Sequence, residues 1–293
     1  MWKQKLCMGV NPAVGIPIED QIRLIANTGF EAIFTSWDHG VPVNEYKKIA
    51  DECGVEYQSI HAPFHKAADV SKMWLHGEAG KIASGELCRC LEICSENEIG
   101  IMVSHVYIGF KYELPNEETA RIGLQNFGTV VRRAEKLGVK VAFENTEGEE
   151  FLDILMKGFK NEPCAGFCLD TGHEQCYNRG VDMLALYGDR LIATHINDNL
   201  GISSYDGVTA PRDDLHLLPF DGIIDWSDMA KRLDDCGFNG TMTFEVKKNS
   251  HAGRHNNDVY SLLTPEMYIA EAYKRACRLA SMRKIKQAKG DPR

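Results

Sequence analysis

The 293-residue sequence is short of several features that would send its reading elsewhere. No apolar run approaches the roughly 20 residues that a membrane-spanning helix needs. The segment MWKQKLCMGVNPAVG holds too short an apolar stretch for a secretory signal, so a cytoplasmic protein is expected. Positive charge is in deficit: 33 Lys and Arg against 42 Asp and Glu leave a net charge of -9. Nucleic-acid binders usually carry a basic stripe, so no such partner is expected. One basic stretch, Lys274 to Arg293, reads as the solvated end of a last helix. The ten cysteines contain no C-x-x-C pair. Cys88, Cys90 and Cys94 fall in a helical stretch, and Cys164 and Cys168 flank a strand. That spacing suits reduced core residues rather than a zinc or disulfide framework. A glycine-rich phosphate loop is missing, and so is any composition shift that would mark a linker.

What is present is a regular alternation. Short runs rich in β-branched and aromatic residues read as strands: Leu6 to Val10, Ala32 to Trp37, Tyr57 to Phe64, Ile101 to Ile108, Lys140 to Asn145, Gly166 to His173, Leu191 to Asp198 and Thr241 to Val246. Helical patterns lie near Ile18 to Ala26, Asn44 to Cys53, Glu78 to Glu96, Glu117 to Leu137, Asp182 to Tyr187, Trp226 to Cys236 and Pro265 to Met282. Gly138 supplies a C-terminal stop. Near-continuous apolar strands separated by amphipathic helices indicate a parallel sheet covered on both faces. Eight such units in a chain of this length fit a closed (β/α)8 barrel, which typically takes roughly 250 residues. Two long loops follow strands, Asn199 to Gly222 and Lys247 to Leu263. The second reads as a mobile lid or a loose connection.

Nine residues able to ligate metal track the strand ends: His61, His105, Glu144, Asp170, His173, His195, Asp214, His216 and Glu245. Seven close a strand-like run, and Asp214 and His216 sit in the loop after the seventh. A parallel barrel brings its strand ends to one mouth, where such residues converge. Glu144, Asp170, His195 and Glu245 come from consecutive strands. Their mixed oxygen and nitrogen donors suit one divalent ion: manganese, magnesium, cobalt or zinc, with a lean toward the harder ions. Glu144 and Glu245, three strands apart, are expected to face each other across the mouth. Two such carboxylates can take a proton from one face of a carbon and return one to the other, beside a carbonyl that a metal polarises. His61 and His105 are either ligands of further metals or donors to substrate hydroxyls, with the second role favoured. His173 follows Asp170 in a turn. In an extended loop Asp214 and His216 would point the same way. Trp37 is a stacking wall for a sugar ring or a lid on the core.

The ordered set SIHAPF, VSHVYIG, AFENT, CLDTGH, THINDN, DDLHLLPFDGIIDW and TFEV resembles the xylose-isomerase-like barrel superfamily over nearly the whole chain. The resemblance implies a single TIM-barrel domain across residues 1–293. Sugar and sugar-phosphate isomerases and epimerases of that superfamily, the ketose 3-epimerases among them, hold one metal ion with a Glu, Asp, His, Glu set. Glu144, Asp170, His195 and Glu245 match it, and in those epimerases the two glutamates are the acid and the base. The type-IV abasic-site endonucleases share the scaffold and bind three zinc ions through nine ligands, all of which have counterparts here. Leu215 stands where that pattern usually has arginine, and its glycine-rich continuation is absent. The leading expectation is therefore a divalent-metal-dependent sugar isomerase or epimerase with a small carbohydrate substrate, no nucleic acid and no membrane. A homo-oligomer is left open. A three-zinc phosphodiesterase is the second expectation, and a non-catalytic metal- or sugar-binding barrel subunit the third.

Overall fold

The computed structural model describes residues 4–204 and 207–284. Its eight strands are β1 (Leu6–Gly9), β2 (Ala32–Ser36), β3 (Glu56–His61), β4 (Ile101–His105), β5 (Lys140–Glu144), β6 (Ala165–Asp170), β7 (Leu191–His195) and β8 (Met242–Phe244). All neighbours in the sheet pair in parallel, in the order β7-β6-β5-β4-β3-β2-β1-β8. A parallel bridge between Ile196 and Phe244 joins the two ends, with the Ile196 N–H donating to the Thr243 carbonyl at 2.7 Å. The sheet is thus a (β/α)8 barrel.

The helices are α1 (Ile18–Thr28), α2 (Val43–Glu52), α3 (Glu78–Glu96), α4 (Glu117–Leu137), α5 (Glu149–Gly158), α6 (Thr171–Cys176), α7 (Met183–Tyr187), α8 (Trp226–Asp235), α9 (Asp258–Ser261) and α10 (Pro265–Met282). Their ends follow local chemistry. At α4 the Asn116 side chain accepts from the Thr119 N–H at 2.9 Å, and two glutamates occupy the first turn. Gly138, at φ 68°, ends it in the left-handed conformation. No described helix is long and apolar enough to cross a membrane.

Four features depart from the sequence reading. α5 was not expected, although Phe151, Leu152, Leu155 and Met156 form its buried stripe behind two first-turn glutamates. β6 stops at Asp170 rather than His173, because the Asp170 carboxylate accepts the His173 N–H at 2.7 Å and caps α6. Cys168 lies inside β6 rather than beside it, fully buried, and the cysteines of the described residues are free. The described part of the basic stretch is not merely solvated. Arg275 reaches Asp221 and the Pro219 carbonyl, Arg278 lies 3.8 Å over the Phe220 ring, and Arg283 is buried. Residues 285–293 of that stretch lie outside the described residues.

Candidate metal centre at the barrel mouth

Each predicted strand-end residue sits at the C-terminal mouth. His61, His105, Glu144, Asp170 and His195 are the last residues of β3 to β7, and Glu245 follows β8 directly. Their floor is built from β1 and β2. Gly9 has no side chain because a Cβ there would lie 2.6 Å from the Phe34 ring, and that ring stacks on His195 with centroids 4.9 Å apart. His195 is thereby fixed from below.

Three linked clusters result. In the first, Glu144, Asp170, His195 and Glu245 bring one ligand atom each to within 4.8 Å of one another. The glutamates do not face each other across an open mouth. Both lean on His195 Nδ1, Glu144 Oε1 at 2.8 Å and Glu245 Oε2 at 3.1 Å. In the second, the Nε2 atoms of His61 and His105 lie 3.3 Å and 3.4 Å from Glu144 Oε2. In the third, Asp214 meets His216 Nε2 at 2.7 Å and His173 Nε2 at 3.6 Å. Asp214 and His216 converge through a left-handed turn at His216, φ 49°, not through an extended strand. Trp37 lies buried beside the mouth at 6 % exposure, its backbone N–H donating to the His61 carbonyl, and belongs to none of the clusters.

The electrostatics follow from crowding. Burial pushes Glu144 up, but His195, His61 and His105 outweigh it and hold the carboxyl well below the usual range. Burial would lower His195, yet Glu144 and Glu245 keep it well above the ordinary imidazole value. Asp170 is pushed up to about 6 by burial and the other carboxylates, against the pull of His173. His105 is lowered to about 3, chiefly by burial. Burial also opposes a charge on His173, but Asp170 and Asp214 carry it well above normal.

This donor set fits a divalent cation. His195 Nδ1 can carry one proton, yet two carboxylates crowd it; a cation among them would satisfy all three at once. Buried polar atoms are nearly always partnered, but Glu144 Oε2, His105 Nδ1 and Asp214 Oδ1 are buried here without a hydrogen bond. Three histidines are also held in one tautomeric sense. The Nδ1 atoms of His61, His173 and His216 face the carbonyls of Ala62, Asn145 and Glu245 at 2.8, 3.0 and 3.1 Å, which leaves Nε2 pointing inward.

Sequence reasoning missed two members of the site. Asn197, two residues beyond His195 and fully buried, donates its amide to both Asp170 oxygens at 3.1 and 3.0 Å. Period-two alternation from His195 could have found it. Gly172 makes room for it, since a Cβ there would meet Asn197 Oδ1 at 2.0 Å. The second is His251, from the loop after β8, whose ring lies against the Asp214 backbone. The sequence placed His251 in a polar loop expected at the mouth, but no periodicity gave it a role.

The sequence matches the xylose isomerase-like TIM barrel family over residues 22–274. The chain belongs to that family. Among relatives, the uncharacterised protein y4fM of Sinorhizobium fredii is 29% identical over 164 residues, which are 54% of this chain and 46% of that one. The chain thus aligns with about half the length of that relative. Two solved structures share the family fold. A zinc-bound IolI protein superposes at a TM-score of 0.71 with 20% identity, covering 94% of this chain and 98% of the other. A D-allulose 3-epimerase from a Methylomonas species, in complex with D-allulose, gives 0.67 with 17% identity and coverages of 94% and 98%.

Proposed function

We propose that the protein is a divalent-metal-dependent isomerase or epimerase of a sugar or sugar phosphate. The observation that carries this is the convergence of Glu144, Asp170, His195 and Glu245 within 4.8 Å at the mouth. The epimerase and the zinc-bound protein of the same fold support it. Asp170 and His195 would hold the ion together with the two glutamates. When bound, it would polarise a substrate carbonyl and lower the acidity barrier at the neighbouring carbon. Glu144 and Glu245 then exchange protons with that carbon. Their surroundings differ in a useful way. The Glu144 side chain is fully buried among His61, His105 and His195, whereas that of Glu245 is 25% exposed. Glu245 is the carboxylate a substrate reaches first. A panel of ketoses and ketose phosphates, incubated with manganese-loaded protein in deuterated water, tests the reading. Deuterium should enter the carbon beside the carbonyl of the true substrate; no exchange across the panel contradicts it.

A second reading, a three-zinc phosphodiesterase, is favoured by one observation: all nine candidate ligands assemble into three neighbouring clusters, two that share Glu144 and a third whose His173 lies 3.8 Å from Glu144 and 3.9 Å from Asp170. The net charge of -9 weighs against it, because few DNA phosphates could be neutralised. Binding to abasic duplex should be weak and vanish at moderate salt. Tight binding followed by cleavage in zinc-replete buffer would make this second reading the first.

A further inference from the structure

Beyond β8 the burial alternates: Glu245 and Lys247 are partly exposed, and Val246 between them joins the core. The backbone of Lys247 is held on both sides. Its N–H donates to the His216 carbonyl at 2.9 Å, and its carbonyl accepts from the buried Asn257 side chain at 3.0 Å. The ammonium acts on both His216 and His251. It is partly buried and makes no hydrogen bond or ion pair among the described residues. Its neighbour Lys248 is the contrast, turned away to the Ser261 carbonyl at 3.4 Å.

The loop that follows is neither loose nor unpinned. Asn249 donates to the Ala13 carbonyl at 3.0 Å, and Ser250 binds Asp258 and the Asn257 N–H, both at 2.8 Å. This loop sets His251 against the Asp214 backbone, with Nε2 buried and without a partner among the described residues. A lysine with a pinned backbone and an unpaired ammonium, and a histidine with an unpaired ring nitrogen, therefore follow Glu245 beside His216 and Asp214.

We propose that Lys247 and His251 bind an anionic oxygen group, a carboxylate or a phosphate, carried by the sugar on which the centre acts. The proposal rests on the sugar-isomerase reading of that centre. With no hydrogen bond or ion pair to the protein among the described residues, the ammonium is free to take an incoming anion. Charge-assisted hydrogen bonds are the strong ones, and the two side chains offer one firm donor and one adaptable nitrogen.

The test is calorimetric binding to manganese-loaded protein of three related sugars: D-fructose, D-fructose 6-phosphate and D-fructuronate. Wild-type protein should bind at least one charged sugar about tenfold or more tighter than fructose. Whichever charged sugar gains identifies the group as phosphate or carboxylate. Lys247→Gln should bring the charged-to-neutral ratio down to about one, and His251→Ala should lower it in part. Circular dichroism and metal content are recorded for each variant, and Lys247→Arg should keep most of the preference. Charged sugars that bind no tighter than fructose, or a ratio unchanged in Lys247→Gln, overturn the proposal. Absence of deuterium exchange on every sugar is a separate result: it defeats the isomerase reading, while the binding ratio still judges Lys247.

Discussion

The two ends of the barrel bury polar groups in opposite ways. At the closed end, each guanidinium nitrogen of Arg283 has an acceptor: Nε gives to Asp234 at 2.6 Å, Nη1 to Gln4 at 3.2 Å and Nη2 to the Phe238 carbonyl at 2.5 Å. That arrangement ties the end of the last helix to α8, to the residues before β1 and to the segment before β8, and no Arg283 nitrogen is left without an acceptor. At the mouth, Glu144, Asp214, His105, His195 and His251 each keep a buried polar atom without a partner. A folded chain tolerates such orphans where something else completes them. The contrast teaches that burial alone does not mark a site; several buried atoms with unspent hydrogen-bonding capacity, gathered in one place, do.

The comparison breaks most visibly at the two glutamates. General acid–base groups contribute about 10²–10⁴-fold to rate. Glu245→Gln and Glu144→Gln should each lower turnover of the true substrate by at least that range, with metal content measured in parallel. Because Glu144 stands among three histidines, its variant should lose metal as well, whereas Glu245→Gln should retain more of it. Two variants that keep metal and near-normal turnover would remove the two-carboxylate chemistry.

The closed end predicts a different kind of loss. Arg283→Ala strips a buried ion pair of one member and should cost about 3 kcal/mol in denaturant unfolding. Metal affinity of the folded fraction should stay as it was. A smaller effect belongs to Asn197, which orients Asp170 from behind. Asn197→Ala should weaken metal binding by about 10–100-fold, the usual range for groups that orient a ligand. An unchanged metal titration would mean that Asp170 does not need that support.

The mildest test is pH. The Asp170 pKa of about 6 in the metal-free protein lies above the ordinary carboxylate value. The folded state therefore holds this proton at pH values where the unfolded chain has lost it. This group's contribution to metal-free stability falls as pH rises through about 6. A bound cation needs the ionised carboxylate, and it needs His195 to shed its own proton, so both act in one direction. The rise in Tm caused by saturating manganese should be larger at about pH 7.5 than at about pH 5.5. Equal rises at both would place the metal elsewhere.

Much of this contrast is legible in the sequence. The strands are apolar runs, and a single His, Asp or Glu closes most of them, so a parallel barrel alone carries those side chains to one mouth. The third cluster is legible only as a pair of neighbouring residues, since the left-handed turn at His216 that joins it to Asp214 leaves no local signature. α5 is a reading error rather than a silent feature, because its apolar stripe is plain once Glu149 and Glu150 are taken as a first turn. His251 and the pinned loop are different. They depend on contacts to Asp214, Asn257 and Ala13 that are distant in sequence or follow no periodicity. The closed-end arginine was hidden for the same reason, inside a stretch whose composition alone suggested solvent.

The most direct test of the central claim is the metal content of wild-type protein beside that of Asp170→Asn. Asparagine caps a helix as well as aspartate does, so α6 keeps its N-terminal hydrogen bond while the site loses a charged ligand. After loading with manganese and desalting, wild-type protein should carry a bound ion. Asp170→Asn should lose it while its circular dichroism stays the same. Full occupancy in Asp170→Asn would contradict the assignment of the mouth as the metal centre.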